Sequence, residues 1–411
     1  MIWAGLLHIY QPPHWDARVI DRVVRESYRP IVDILKRNPG VRITLNINAS
    51  LTEQLAQLGY QYVISGLREV AERGQIEFTG SAKYHPILPL IPANEVRRQI
   101  ELNTETNRAL FGKCYAPVGF FPPEMAINLD VVALLVELGF RWVALDEVVS
   151  AEKADGSTWG TIAPFDLTAI LRNRRMSDYL SFVAPADNPQ DFFSEFGKTE
   201  DSKALLITSF DGENLGHHRP GTDHLWEKIV TDPSVKTLTY SQLLDLPGPA
   251  RAITLRPSSW STRDEDLKHG AAFPLWQNPD NQLHSLQWSL THLTIDAVSN
   301  SDRRGDTGYA SARLLLDEAL ASDQYWWASA TPWWSVEIVT GGAERFVKII
   351  DSLVSLPEAE RREAHQLAGA ITRLARQWQD DGTAQVRREQ YLKAAQTVHY
   401  LGGDRIDASR A

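Results

Sequence analysis

The feature that most constrains this chain is a strand–helix rhythm running from its first residues to about residue 260. Short β-type runs (IWAGLLHIY, VRITLNIN, QIEFTGS, PVGFFPPE, RWVALDEVV, KALLITSFDGE, VKTLTYSQLL, RAITLRPSS) alternate with segments whose apolar residues recur at helical spacing. Asn38-Pro39-Gly40 ends one helix, Ser50 with Glu53 three residues on has the form of a capping box, and Asn128 stands where an N-cap is needed. Repeated strand–helix units imply parallel strands joined by right-handed crossovers. About seven such units admit a closed barrel or an open doubly wound sheet, and in both, function gathers beyond the carboxyl ends of the strands.

The rhythm lapses over residues 150–200, which read as a polar excursion with hairpin content and turns at ADGSTWG and PADNPQD. From about residue 281 the pattern is helical only, and Leu367, Ile371, Leu374 and Trp378 fall on one helical face. The expected organisation is an α/β catalytic part over 1–265, carrying the 150–200 excursion, and a C-terminal helical region over 266–411 packed on it.

Composition narrows the function classes. With 43% hydrophobic and 23% charged residues the chain reads as a soluble globular protein. A formal net charge of −10 argues against a nucleic-acid partner. A single cysteine, Cys114, leaves no intramolecular disulfide and no cysteine-built metal site. No run reaches the ~18 apolar residues of a membrane span. The apolar start MIWAGLLHIYQPP lacks a positive leader and a small-residue cleavage site, so it reads as a first buried strand and the expected compartment is the cytoplasm. Thirteen tryptophans suit stacking on sugar rings.

Polar residues collect at the strand ends. His8 and Gln11 follow the first strand, Glu77 and His85 the third, Glu124 the fourth, Asp146 and Glu147 the fifth, and Asp211, Glu213, His217 and His218 the run at 204–210. Trp260 follows with an acidic cluster at 264–266 that reads as a solvated helix start. Such convergence describes a polar pocket rimmed by aromatics. Two carboxylates stand out. Glu124 follows Pro122-Pro123, whose fixed φ restricts the backbone, which suits a nucleophile held close to its target. Asp211 opens Asp-Gly-Glu, where Gly212 permits a sharp turn, and is the expected acid/base. Glycosidic hydrolysis needs such a pair, with environments that drive the two pKa values apart. The plainer reading makes Glu124 a first-turn helix acid and Asp211 an N-cap.

These motifs, in this order, resemble glycoside hydrolase family 57, the retaining enzymes active on α-glucans. HIYQPP is similar to the family's first motif, GQIEFTGSAKYHPILPL to its second, GFFPPEM to its third, DGENLGH to its fourth, and RPSSWSTRDEDL is the candidate for the fifth. The third has Phe-Phe-Pro-Pro where many members place a Trp before the Glu. The resemblance covers roughly residues 1–265 and implies a (β/α)7 barrel followed by a C-terminal helical bundle. It implies Glu124 as nucleophile, Asp211 as acid/base with Glu213 as companion, and His8, Gln11, Glu77, His85, His217 and Trp260 as substrate-binding residues. It implies a carbohydrate substrate, an α-glucan or oligosaccharide, and no cofactor. Two other classes stay open: a metal-dependent deacetylase or mannosidase-like hydrolase on a related barrel, and a non-catalytic sugar-binding relative. The sequence has no His-x-His or His-x-x-x-His, the spacings that favour zinc, and it retains both carboxylates.

Overall fold

The computed structural model describes residues 1–151, 159–186, 188–197, 205–247 and 251–397. The described residues divide into two compact units: 1–83 with 92–260, and 84–91 with 261–397.

The first unit holds the strands β1 (Ile2–Ile9), β2 (Ile43–Ile47), β3 (Ile76–Phe78), β4 (Gly119–Phe120), β5 (Trp142–Asp146), β6 (Trp159–Ile162), β7 (Thr168–Arg172), β8 (Leu205–Asp211), β9 (Lys236–Leu238) and β10 (Ala252–Ile253). One sheet runs β3-β2-β1-β8 and the other β10-β6-β7-β5-β4. Backbone bonds join them at both seams. Gly80 N donates to Gly119 O (2.8 Å) and Phe121 N to Gly80 O (2.9 Å), while Asn173 N donates to Ile207 O (2.8 Å). The strands β8, β1, β2, β3, β4, β5 and β7 thus form a ring, the (β/α)7 barrel, and the open-sheet alternative falls away.

The ring corrects the strand assignment. β7 lies inside the stretch read as an excursion, with antiparallel β6 as its hairpin partner. The segment VKTLTYSQLL contributes only the short β9 before Thr239 caps a helix over Tyr240–Leu244. RAITLRPSS contributes only β10, paired with β6. Most of ADGSTWG lies outside the described residues, as does Asp187 of PADNPQD. Asn128 does cap its helix, accepting from Val131 N. Ser50 does not: it sits inside Ala49–Gln57 behind the N-cap residue Asn48. The free Ala49 N–H is met by Asn103 Oδ1 (2.8 Å) instead, so a tertiary partner replaces the local cap.

Strand alternation then builds the interior. Trp3, Leu7 and Ile9 of β1 pack outward among helix residues such as Tyr28, Ile31 and Leu35. Ala4 and Leu6 pack inward with Phe121, Trp142, Ala144, Ile170 and Ile207. Carrying the period of two to the strand ends leaves His8, Asn46, Asp146, Arg172 and Asp211 as the next inward residues. Register aligns them: His8 pairs with Asn46 and Asp211, and Asp146 with Arg172. A polar layer therefore lies directly on an apolar one.

The second unit is helical, with long helices over Gln282–Arg303, Val336–Ser352 and Glu358–Asp380. Trp288 stacks on Tyr325 with ring centroids 4.3 Å apart. In the last of these helices Ala364, Ile371, Ala375 and Trp378 are buried, whereas Leu367 and Leu374 are only half-buried. The buried face thus combines two alanines with Ile371 and Trp378. Among the described residues no helix is long and apolar enough to cross a membrane.

Candidate active site

Glu124 is not the first turn of a helix; the next one begins at Leu129. It sits in a short turn over Pro123–Met125 with φ 59° and ψ 16°, and Met125 also has positive φ. Left-handed backbone at a non-glycine residue costs about 1–3 kcal/mol and persists only where its surroundings enforce it. Trp260 supplies that enforcement twice. Its backbone N donates to Glu124 O (3.0 Å), and its indole Nε1 donates to Glu124 Oε2 (2.7 Å). Both ends of the residue are thereby tied to one partner.

Asp211 ends β8 in ordinary extended backbone (φ −68°, ψ 127°) and does not cap the turn after it. Burial pushes its pKa up to about 6, with the Arg172 charge working against the rise. Glu213, two residues on, is pushed up to about 8, by burial first and then by the Asp211 charge. Its Oε1 accepts from Tyr28 Oη, Tyr10 N (3.1 Å) and Gln11 Nε2 (3.5 Å). Gly212 serves a close approach and not the expected turn conformation: a Cβ there would stand 2.5 Å from Ile9 Cγ2. His8, in register with Asp211, is neutral, its pKa lowered to about 4 by burial despite its bond to Asn46. Its Nδ1 lies 2.6 Å from Asn46 Oδ1, whose Nδ2 in turn donates to Thr79. The His8 ring stacks on Phe121 (4.6 Å) and meets Trp260 edge-on (6.0 Å), while Phe121 and Trp260 are 5.8 Å apart. These three rings link the Asp211 strand end to the Glu124 turn.

Comparison with known proteins bears on this barrel. Residues 7–255, more than half of the chain, match the family described as Glycosyl hydrolase family 57. The chain belongs to that family. Its relatives include alpha-amylase 1 of Dictyoglomus thermophilum, 26% identical over 215 residues, 51% of this chain and 31% of that protein. Another is the 4-alpha-glucanotransferase of Thermococcus litoralis, 25% identical over 282 residues, 63% of this chain and 41% of that protein. The chain thus spans less than half the length of either. The solved GH57-type branching enzyme of Pyrococcus horikoshii superposes with a TM-score of 0.70 over 90% of this chain and 94% of that one, at 15% identity, a likeness of fold.

The remaining residues expected at this family-57 site divide. His217 is buried with Nδ1 2.6 Å from Glu26 Oε2, and its backbone N donates to Glu213 O (3.2 Å), so it braces the Asp211–Glu213 segment. Gly216 beside it has φ 103°, and a Cβ there would stand 2.1 Å from Glu26 O. Glu77 points inward one layer lower, in register with Thr44, and its carboxylate takes the Ser241 backbone N–H (3.0 Å) and hydroxyl. It holds the start of the Tyr240–Leu244 helix and is not gathered with His8, Asp211 and Glu124. His85 belongs to the second unit, where it has φ 59° and its Nδ1 lies 3.0 Å from Ser322 Oγ. Asp146 is a buried ion-pair residue, its Oδ2 2.6 Å from Arg172 Nε. Burial works to raise its pKa, yet Arg174 and Arg172 hold it below the ordinary range. Arg172, Arg174, Tyr28 and Asn46 escaped the sequence reading. Arg172 and Arg174 lie in the stretch taken for an excursion, and Tyr28 on a segment taken only as a helix. Among the described residues, no three His, Cys, Asp or Glu side chains are grouped to hold an ion.

Proposed function

We propose that the protein is a retaining glycoside hydrolase or glucanotransferase acting on α-linked glucans or oligosaccharides by double displacement. One observation carries the reading: a carboxylate pinned by an indole N–H and a carboxyl pushed up to about 6 end at the same three-ring cluster. Glu124 attacks the anomeric carbon while Asp211 gives its proton to the departing glycosidic oxygen. The C–O bond to the leaving sugar breaks as the bond to Glu124 forms. Asp211, now a carboxylate, takes a proton from water or an acceptor hydroxyl, whose oxygen displaces Glu124 and restores the first configuration. Glu213, His8, Gln11 and His217 orient these groups or hold substrate hydroxyls, and Trp260 serves as both clamp and ring surface. The family relationship and the amylase and glucanotransferase names of the relatives support the choice of α-glucan.

The test is product analysis on starch, maltooligosaccharides and aryl α-glycosides, with anomeric configuration followed by NMR. The expected result is retained configuration with activity lost in Glu124→Gln and Asp211→Asn. Glucan binding without any glycosyl release or transfer would leave a non-catalytic binder. Activity kept by Glu124→Gln and abolished by chelation would leave a metal-dependent hydrolase.

A further inference from the structure

Behind the clamp on Glu124 stands a second tier of charge that neither the motifs nor the relatives' names assign. Arg172 is 5% exposed at the inward end of β7. Its Cζ lies 5.4 Å from the Trp260 ring centroid. Nε reaches Asp146 Oδ2 (2.6 Å), Nη2 reaches Asp178 Oδ1 (3.3 Å), and Nη1 donates to Ser209 O (3.1 Å) on β8, two residues before Asp211. Nη2 also lies 3.5 Å from Trp260 O, and Arg174 Nη2 donates to the same oxygen at 3.0 Å while pairing with Asp146 Oδ1 at 2.8 Å. Every nitrogen of the guanidinium is thus engaged, and its carbon sits over the indole whose N–H holds Glu124.

We propose that Arg172 is a positioning residue for the reaction: it fixes the Trp260 indole, and through it the Glu124 carboxylate, while its charge lies near Asp211 on the adjacent strand. This rests on the glycosidase reading above. The geometry is economical, because one planar cation at the seam between β7 and β8 serves both carboxylates. A simple ion pair with Asp146 would not need the ring face. The cation–π contact and the paired hold on Trp260 O supply a direction as well as a charge. The charged and titratable groups around it are Asp146 and Glu147 at the end of β5, Arg174 and Asp178 just after β7, and Asp211 at the end of β8.

Arg172→Lys keeps the charge for Asp146 and loses the guanidinium over the ring, so it is the informative variant; Trp260→Phe removes the indole donor and keeps an aromatic ring. With 15N-labelled tryptophan, the Trp260 indole resonance is assigned by its absence in Trp260→Phe. It is expected to shift in Glu124→Gln and to shift or broaden in Arg172→Lys. In turnover, Arg172→Lys is expected to lower kcat about tenfold to a hundredfold with KM little changed, within the range that ångström-scale misplacement produces. The alkaline limb set by Asp211 should stay in place, because the charge remains. The double variant should lose no more than Trp260→Phe alone, since both act through one contact. An unshifted indole with wild-type kcat in Arg172→Lys, or losses that multiply in the double variant, would overturn the proposal. If the wild type proves inactive on glycosides the catalytic reading fails, and the indole resonance still decides whether Arg172 holds Trp260.

Discussion

Glu124 leaves its strand in a left-handed turn, with carbonyl and carboxylate both tied to Trp260. Asp211 ends its strand in relaxed backbone and does not cap the turn that follows; burial acts on its carboxyl with only the Arg172 charge in opposition. The same functional group is thus delivered in two ways. The first holds position by local strain and a directed donor. The second holds a proton by withdrawing the group from water. The contrast separates a group that must be placed from one whose ionisation must be set, and it follows the general rule that paired carboxyls divide their roles by environment.

The largest effect that could break this contrast is at Glu124. Glu124→Gln keeps the Trp260 bond but removes the nucleophile, and kcat on glucans should fall by about 10⁴-fold or more, read by reducing-end release. A residual rate near wild type would mean that the strained turn serves binding only. Next is Asp211→Asn, expected to cost about 10²–10⁴-fold on sugar leaving groups and much less on activated aryl glycosides, which depart without a proton. In the wild type, kcat/KM should decline as pH rises through about 6, because the acid must be protonated; in Asp211→Asn that limb should vanish. Equal losses on both substrate types would remove the proton-donor side of the comparison. Trp260→Phe comes third, with kcat lower by about tenfold to a hundredfold and the alkaline limb unmoved, since the clamp acts on Glu124 and not on Asp211.

The smallest effect is on stability. Asp211 and Glu213 titrate in the folded protein at about 6 and about 8, above their ordinary 3.8 and 4.5. The unfolded chain therefore releases these protons first. Their contribution to stability is complete below about pH 4 and is lost as pH rises towards 8. Glu213→Gln should flatten the decline in Tm between pH 5 and pH 8 relative to wild type. Parallel profiles would show that Glu213 is charged in the folded state, against the upward push of burial.

Much of this was open to inspection in the residues alone, because its causes are local or periodic. Alternating apolar runs identify most of the barrel strands, and the ends of IWAGLLHIY and LLITSFD place His8 and Asp211 at carboxyl ends of strands. The Pro-Pro pair marks Glu124 as conformationally restricted. What escaped depends on contacts distant in the chain. β7 is a barrel strand only because β5 flanks it and Asn173 bonds to Ile207, and no local pattern carries that. The Ser50 cap was superseded by Asn103, and Glu77, at a strand end by sequence, lies a layer too low and is taken up by Ser241.

The sequence by itself determined the strand–helix rhythm, the alternation of faces along the strands it marks, and which acids gather at strand ends. Those properties follow from backbone period and side-chain chemistry within a few residues. Tertiary structure alone decided which neighbour each acid received: Trp260 for Glu124, burial and a nearby guanidinium for Asp211, a ring of donors for Glu213. Ionisation and orientation depend on solvent exclusion and on partners from 39 to more than 200 residues away, so they come into being only when the barrel closes.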